Sequence, residues 1–287
     1  MSEKPHGEIV VSWVQVEGLL RARQAGAPSA TTSADLGLTT VEARLTPRGI
    51  AYQDGAELAW HVAERIAKDR NKCFTLGADG SVTEIAAFSE VTGWRRSLMP
   101  TSGAPTMLVS GIAMHRIKDT DPWRDTLAKV ATLAPLVGRV LDTATGLGYS
   151  AIAAAKTAEE VVTIELDPAA IAVARHNPWS RALFTQSNIR QLIGDAAEEV
   201  ERFDDGAFSR VLHDPPVLSL AGELYAAAFY RQLRRVLQRG GRLFHYIGDP
   251  DSPSGRRTTA SVIRRLREAG FGRVVRHPEA FGVVAFG

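Results

Sequence analysis

The chain has 287 residues, 45% hydrophobic and 23% charged, the proportions of a soluble globular protein long enough for one large or two modest domains. Its formal net charge of +2 is too small to argue by itself for a nucleic-acid partner. A single cysteine, Cys73, excludes an internal disulfide framework and a thiolate zinc cluster and points to a reducing, cytoplasmic setting. No apolar run approaches the ~20 residues of a membrane span, and Glu8 and Glu17 flank the only apolar stretch near the N-terminus, too short for a signal peptide.

Residues 1–118 carry no nucleotide fingerprint. Residues 9–16 and Val41–Leu45 read as strands, with turn signals at Pro47-Arg48-Gly49 and Asp54-Gly55. Residues 24–34, rich in Ala, Ser, Thr and Gly, read as a flexible loop. The spacing of Leu58, Ala59, Val62, Ala63 and Ile66 predicts a helix over 56–68. Cys73–Leu76 and residues 82–88 suit a hairpin, residues 97–105 are turn-rich, and 106–112 read as a strand. This half is expected to be a small α+β module on the substrate side. His115 and Arg116 close it, either to contact substrate or a ligand carboxylate, or as a packing corner in which Arg116 pairs an acid.

Past residue 118 the pattern changes. Asp121 as N-cap and Pro122 at the first helical position predict a helix from 123 to about 133, stopped by Pro135. Arg139-Val-Leu-Asp142 is a strand ending in an acid. A glycine-rich turn through Gly148 follows, then an alanine-rich helix from Tyr149 to about 156. Doubly wound sheets bind nucleotides at such a strand end, where small residues admit a ligand and the helix start presents N–H groups. Two ligand classes use such a turn. Gly146-x-Gly148-x-x-Ala151 with Glu165 downstream matches a dinucleotide fingerprint. Asp142-x-Ala144-x-Gly146-x-Gly148 instead sets a carboxylate where it would repel a pyrophosphate and attract an ammonium. S-adenosylmethionine (SAM), with an α-ammonium, a sulfonium and no phosphate, suits the second pattern.

The following strands repeat the arrangement. Residues 161–165 end in Glu165, placed for ribose hydroxyls, with Leu166 next and Pro168 opening a helix. Residues 190–195 end in Asp195, placed for an adenine amino group or as a helix N-cap, with Ala196 beside it. Residues 208–213 deliver His213, Asp214, Pro215 and Pro216 to the same rim. A helix over 222–237, ended by Gly240-Gly241, leads to a fifth strand over 242–247 that carries His245 and Tyr246. A helix over 256–269 and strands over 273–276 and 281–286 complete the pattern, with no accessory domain expected after them.

Residues 142–148, 164–167, 193–196, 213–216 and 237–244 together resemble the class I SAM-dependent methyltransferases over roughly 119–287. With Pro105-Thr106 and residues 110–116, the whole chain resembles an uncharacterised group of predicted archaeal methyltransferases. One departure is Ala144, where many members carry glycine. The resemblance implies an α/β fold: a doubly wound, mostly parallel seven-stranded Rossmann-like sheet (residues 119–287), its last strand antiparallel, behind a small N-terminal α+β domain (residues 1–118). It implies SAM contacts from Asp142, Ala144, Thr145, Gly146, Gly148, Tyr149, Glu165, Leu166, Asp195 and Ala196. Tyr149 either covers the methionine end or packs in the core.

Asp214 is the expected group for orienting or deprotonating the acceptor. His213 is either a second acid–base group or a buried, hydrogen-bonded histidine. Pro215, Pro216, His245 and Tyr246, with His115 and Arg116, are expected on the acceptor side. No side-chain cluster has metal-ligand spacing, so no metal is expected. The Asp-Pro-Pro loop resembles that of methyltransferases acting on planar exocyclic amines, although Val217 stands where those usually carry an aromatic residue. The expected reaction is methyl transfer from SAM to an amine or hydroxyl of a small molecule or RNA. The alternatives are aminopropyl transfer from decarboxylated SAM, for which Leu218-Ser219-Leu220 lacks the acids expected after the fourth strand, and non-catalytic SAM binding. Residues 231–276 hold twelve arginines, no lysine and three acids. They are either the solvated faces of amphipathic helices or a phosphate-contacting face. Without interleaved aromatics, RNA is a conceivable but not an indicated partner. No motif speaks to oligomeric state.

Overall fold

The computed structural model describes residues 8–53, 55–216 and 222–287. Asp54 of the expected turn, Val217 and Leu218-Ser219-Leu220 lie outside the described residues. The chain divides into two compact units, residues 1–122 with 169–181, and residues 123–168 with 182–287.

The first unit contains three small antiparallel sheets. Ile9–Ser12 pairs with Cys73–Leu76, which pairs with Val82–Glu84. Ser29–Thr32, Val41–Leu45, Gly49–Ala51 and Glu57–Ala59 form the second sheet, and Ala86–Phe88, Arg95–Met99, Thr106–Val109 and Ile112–Ala113 the third. Six expectations need correction: residues 97–99, expected within turns, end the strand Arg95–Met99, the strand expected over 106–112 turns back at Ser110-Gly111 to pair with Ile112–Ala113, and four more follow. The strand expected over 9–16 stops at Ser12, because Ser12 and Gln15 form a capping box that starts the helix Trp13–Gln24. Ser29–Thr32, expected as loop, is a strand whose partner is Val41–Leu45. Helix begins at Trp60, not Ala56, because Glu57–Ala59 pairs with Gly49–Ala51. A Cβ at Gly49 would lie 2.3 Å from the Leu58 carbonyl oxygen, so that close pairing requires glycine. The strand expected over 82–88 divides at Ile85, whose N–H serves Cys73 in one sheet and whose carbonyl serves Leu98 in another. Val11, Val16, Leu19, Ile50, Leu58, Ala63 and Ile66 fill the core of this unit.

The second unit is built on a seven-stranded sheet: β1 (Arg139–Asp142), β2 (Glu160–Glu165), β3 (Ile189–Ile193), β4 (Phe208–His213), β5 (Leu237–Tyr246), β6 (Arg273–His277) and β7 (Gly282–Phe286). Their spatial order is 3-2-1-4-5-7-6. The first five are parallel, and β7 runs antiparallel to both β5 and β6. This is the doubly wound α/β arrangement that the sequence implies. Winding reverses between β1 and β4, so the carboxyl ends of these strands border the place where such sheets receive ligands.

The helices that follow residue 121 are α1 (Pro122–Ala131), α2 (Tyr149–Ala155), α3 (Pro168–Arg175, in the first unit but for Pro168), α4 (Arg181–Thr185), α5 (Ala196–Glu201), α6 (Ala227–Val236) and α7 (Pro253–Glu268). Every residue of β4 is buried, as a central parallel strand requires. One cluster packs Leu141, Val162 and Val211 with Phe229, Leu233 and Leu266; the other packs Val140, Val161 and Leu212 with Leu133, Ala151 and Ala154. The helix expected over 222–237 is a 3-10 turn, Gly222–Tyr225, followed by α6. Strand β5 starts at Leu237 rather than Arg242, with a register shift against β4 where Gly240 takes φ +74°. Helix α7 starts earlier than expected, at Pro253, because the Ser252 hydroxyl accepts from the Gly255 N–H.

Candidate active site

The turn after β1 is shaped mainly by its backbone. Thr143 N–H donates to the Leu212 carbonyl (3.0 Å), Thr145 N–H to that of Ile164 (2.9 Å), and Gly148 N–H to that of Thr145 (2.7 Å). The turn is thereby tied to β4, to β2 and to itself. Gly146 and Gly148 have φ of +53° and +78°, which side-chain-bearing residues rarely adopt. A Cβ at Gly148 would meet Leu183 Cδ2 at 2.6 Å, whereas one at Gly146 would meet nothing within 4 Å. Gly148 therefore serves packing, and Gly146 borders open space.

Asp142 is fully buried at the end of β1. Its Oδ2 accepts from the Ser150 and Thr163 hydroxyls, both at 2.9 Å. Thr163 has only one hydroxyl proton, so Thr145 Oγ1 must donate across the 2.6 Å contact to Thr163 Oγ1. Oδ1 is buried with no hydrogen-bond partner among the described residues. Burial, with a smaller push from the charge of Asp214, raises the carboxyl to about 7, against the pull of the two hydroxyls and of the nearby Ala144 backbone N–H.

Glu165, ending β2, accepts from the Gly146 N–H (2.8 Å) and the Asp167 N–H (3.0 Å), so its carboxylate braces the turn. Glu165 pairs in register with Ile193 of β3. Leu166 and Ile193, 46% and 53% exposed, bring two large aliphatic side chains to this edge. Asp195 accepts from the Ala197 N–H at 2.8 Å as the N-cap of α5, and Ala196 is buried. A nucleoside with a cationic tail fits these residues. Asp142 Oδ1 is an orphaned acceptor, Gly146 leaves room, and the aliphatic pair suits a planar base.

Beyond β4, Asp214 is partly exposed and its Oδ2 accepts from Lys129 Nζ at 2.7 Å. Lys129 also lies 2.9 Å from Asp125 Oδ2 and 4.2 Å from the ring centroid of Tyr246. Burial pulls the Lys129 ammonium down, but Asp214 and Asp125 outweigh it and the group is raised overall. Pro215 is buried and Pro216 exposed. The Tyr225 hydroxyl donates to the Pro216 carbonyl at 3.1 Å and so ties down the start of the loop.

Several expected roles do not survive the geometry. His213 is fully buried; its Nε2 lies 3.0 Å from the Leu224 carbonyl and its Nδ1 2.7 Å from Thr143 Oγ1. A carbonyl only accepts, so Nε2 carries the proton and Nδ1 accepts from Thr143. Burial lowers this imidazole to about 3, which makes it a neutral strut rather than an acid–base group. His245, expected beside the acceptor, is also fully buried, bonded through Nε2 to the Tyr230 hydroxyl at 2.7 Å. Burial, then neighbouring His213, holds it well below the usual histidine range. Tyr149 packs edge-on against Trp123 (5.9 Å between centroids) in the core instead of covering a ligand. His115 and Arg116 stay acceptor-side candidates; both belong to the first unit, where the His115 ring lies 2.9 Å from Thr106 Oγ1.

The sequence reading missed Lys129, Asp125, Ser150, Thr163 and Tyr225. Asp125 and Lys129 stand four residues apart on a predicted helix, a spacing usual for exposed pairs. Nothing in it indicates burial. Among the described residues no side-chain cluster could hold a metal ion, and no helix is long and apolar enough to cross a membrane.

A methyltransferase-domain family model matches residues 140–241. The chain is 42% identical over 238 residues to the uncharacterized protein MJ1233 of Methanocaldococcus jannaschii, covering 82% of this chain and 81% of that protein. Over 116 residues it is 32% identical to polyamine aminopropyltransferase 2 of Streptomyces coelicolor, covering 38% of this chain and 21% of that one. A spermidine synthase crystallised with the transition-state analogue AdoDATO shares the fold, at a TM-score of 0.58 and 21% identity, covering 72% of this chain and 75% of that one. The glycine turn, the acid-tipped strands and the strand order thus meet a relative matched over most of both lengths, and the chain belongs to the class I SAM-dependent methyltransferase superfamily, in one family with MJ1233.

Proposed function

We propose that the second unit binds SAM at the carboxyl edge of β1–β3 and directs its methyl group to an amine or hydroxyl acceptor held at Asp214. The observation that carries this reading is the buried Oδ1 of Asp142, which no hydrogen bond matches at the foot of a turn whose Gly146 borders open space. A buried acceptor left unmatched is costly, and an ammonium would match it. SAM, when bound, supplies a sulfonium methyl that a nucleophile displaces in line. The chain's own work is then to bind, orient and accept a proton. Asp142 takes the ammonium. Glu165, braced by two N–H groups, is the carboxylate that meets the ribose hydroxyls. Leu166 and Ile193 cover the base, and Asp195 has a second oxygen for its amino group. Asp214 Oδ1 accepts the hydrogen of the nucleophile, aligning its lone pair with the methyl group.

A small-molecule acceptor is the simpler partner. Arg234, Arg235, Arg242 and Arg265 donate to backbone carbonyls and Arg264 pairs with Glu268, so much of the arginine-rich segment serves internal contacts. Arg231, Arg239, Arg257, Arg267 and Arg276 would have to carry any contact with RNA. The second reading, aminopropyl transfer, is favoured by the stretch resembling a polyamine aminopropyltransferase. Against it stands the Lys129 ammonium on Asp214, which weakens the pull on a polycationic acceptor.

The test is to incubate the protein with SAM or decarboxylated SAM and, as acceptor pools, the small-molecule fraction and total RNA of a cell extract. Methyl transfer yields S-adenosylhomocysteine and a methylated acceptor, and aminopropyl transfer yields methylthioadenosine. S-adenosylhomocysteine is expected. Methylthioadenosine only, from decarboxylated SAM, would establish the second reading and defeat the first.

A further inference from the structure

We propose that Lys129 is a positioning residue that holds Asp214 by one oxygen and leaves the other for the acceptor, an assignment resting on the methyl-transfer reading above. Lys129 lies on α1 with its side chain only 6% exposed, between the fully buried Asp125 one turn earlier and the 27% exposed Asp214. A buried ammonium must be matched, and Asp125 by itself would neutralise it. The second carboxylate is therefore not needed to offset the charge of Lys129. It belongs instead to the loop that the reaction needs still.

Three contacts hold Lys129 and that loop. Lys129 Nζ is 2.7 Å from Asp214 Oδ2, the Tyr246 ring covers the ammonium at 4.2 Å, and the Tyr225 hydroxyl holds the Pro216 carbonyl at 3.1 Å. Asp214 Oδ1 has no hydrogen-bond partner among the described residues. A carboxylate fixed at one oxygen has little freedom at the other, and a fixed acceptor is what aligning a nucleophile requires. The charge follows the same path, from α1 through the lysine to the loop. A purely structural ion pair has no reason to reach a partly exposed side chain beyond the strand end. Replacing such a buried network by apolar residues is often neutral for stability, so its presence calls for another role.

The experiment is a double-mutant cycle in the full chain, read by tritiated methyl transfer from SAM into the small-molecule fraction of a cell extract. Asp125→Asn with Lys129→Met removes both buried charges together, so neither is left bare. We expect this variant to bind SAM within about twofold of the parent and to transfer methyl groups ~10–100-fold more slowly. Adding Asp214→Asn should cost no more than Asp214→Asn alone, because the lysine acts only through that carboxylate. Losses that multiply, or a rate within twofold of the parent, would overturn the proposal. Should the paired variant not fold, Lys129→Arg keeps the charge but offers a planar fork in place of a point charge. A severalfold slower transfer at unchanged SAM affinity is expected there, and an unchanged rate would again overturn it. No transfer by the parent protein from SAM, into this fraction or into total RNA, would instead defeat the methyl-transfer reading, and the lysine's role with it.

Discussion

Two stretches of one sheet edge hold their carboxylates by different means. At the ends of β1–β3, Asp142 is held by two hydroxyls, and Glu165 and Asp195 accept from backbone N–H groups. At the end of β4, Asp214 is held by an ammonium. Neutral donors fix the direction of a carboxylate without cancelling its charge, so the first stretch stays attractive to a cation. A lysine fixes direction and cancels charge together, which suits an acceptor that must be neutral to attack. Charge at one stretch thus serves affinity, and at the other geometry.

The largest expected effect breaks this contrast at its second end. Asp214→Ala should reduce transfer by ~10²–10⁴-fold, the usual range for a lost proton acceptor, with SAM affinity unchanged by calorimetry. Full turnover would remove Asp214 from the reaction. Next, Asp142→Asn should weaken SAM binding about tenfold or more, as expected for a lost charge-assisted hydrogen bond. The sign of its pH dependence follows from burial. The carboxyl of Asp142 titrates at about 7, and only the ionised form attracts a cation, so affinity should rise as pH rises through that value. In Asp142→Asn this dependence should vanish, and a parent affinity that is flat with pH would argue that the cation lies elsewhere.

Smaller effects separate the two glycines of the turn. Gly148→Ala should destabilise the fold by about 1–2 kcal/mol from its left-handed backbone alone, and more from the clash with Leu183. Gly146→Ala carries the same backbone cost without the clash. Urea melts should rank them in that order, and equal losses would contradict the packing role of Gly148. The smallest effect concerns His213. Its imidazole is held at about 3 by burial, so it adds no limb to the rate profile in the neutral range. His213→Gln should leave the shape of that profile unaltered, and a lost limb would restore the histidine to the chemistry.

Legibility followed the range of the interactions involved. The strand-turn-helix at 139–155 and the acids at 165, 195 and 214 are local patterns, a period of two or of none ending at a polar residue, and each strand sits within a few residues of its expected place. The capping box at Ser12–Gln15 is local too, a serine followed three residues later by a glutamine, but the apolar run over 9–16 masks that helix start. The short strands at Ser29–Thr32 and Glu57–Ala59 were not legible in that sense. Each exists because a partner strand supplies its hydrogen bonds.

The sequence by itself determined that acids stand at or just past the ends of four successive strands and that glycines shape the first turn, because both follow from residue order along the chain. Only the tertiary structure decided which of the rim's polar side chains face the ligand edge. His213 and His245 lie on strands of unremarkable pattern, yet burial turns both into neutral packing groups. Lys129 stands 85 residues from Asp214, and nothing in a helix-spaced Asp-Lys pair foretells that the fold will bring the two together. Burial and long-range pairing depend on how all the elements pack, and that sum is not written at any one position.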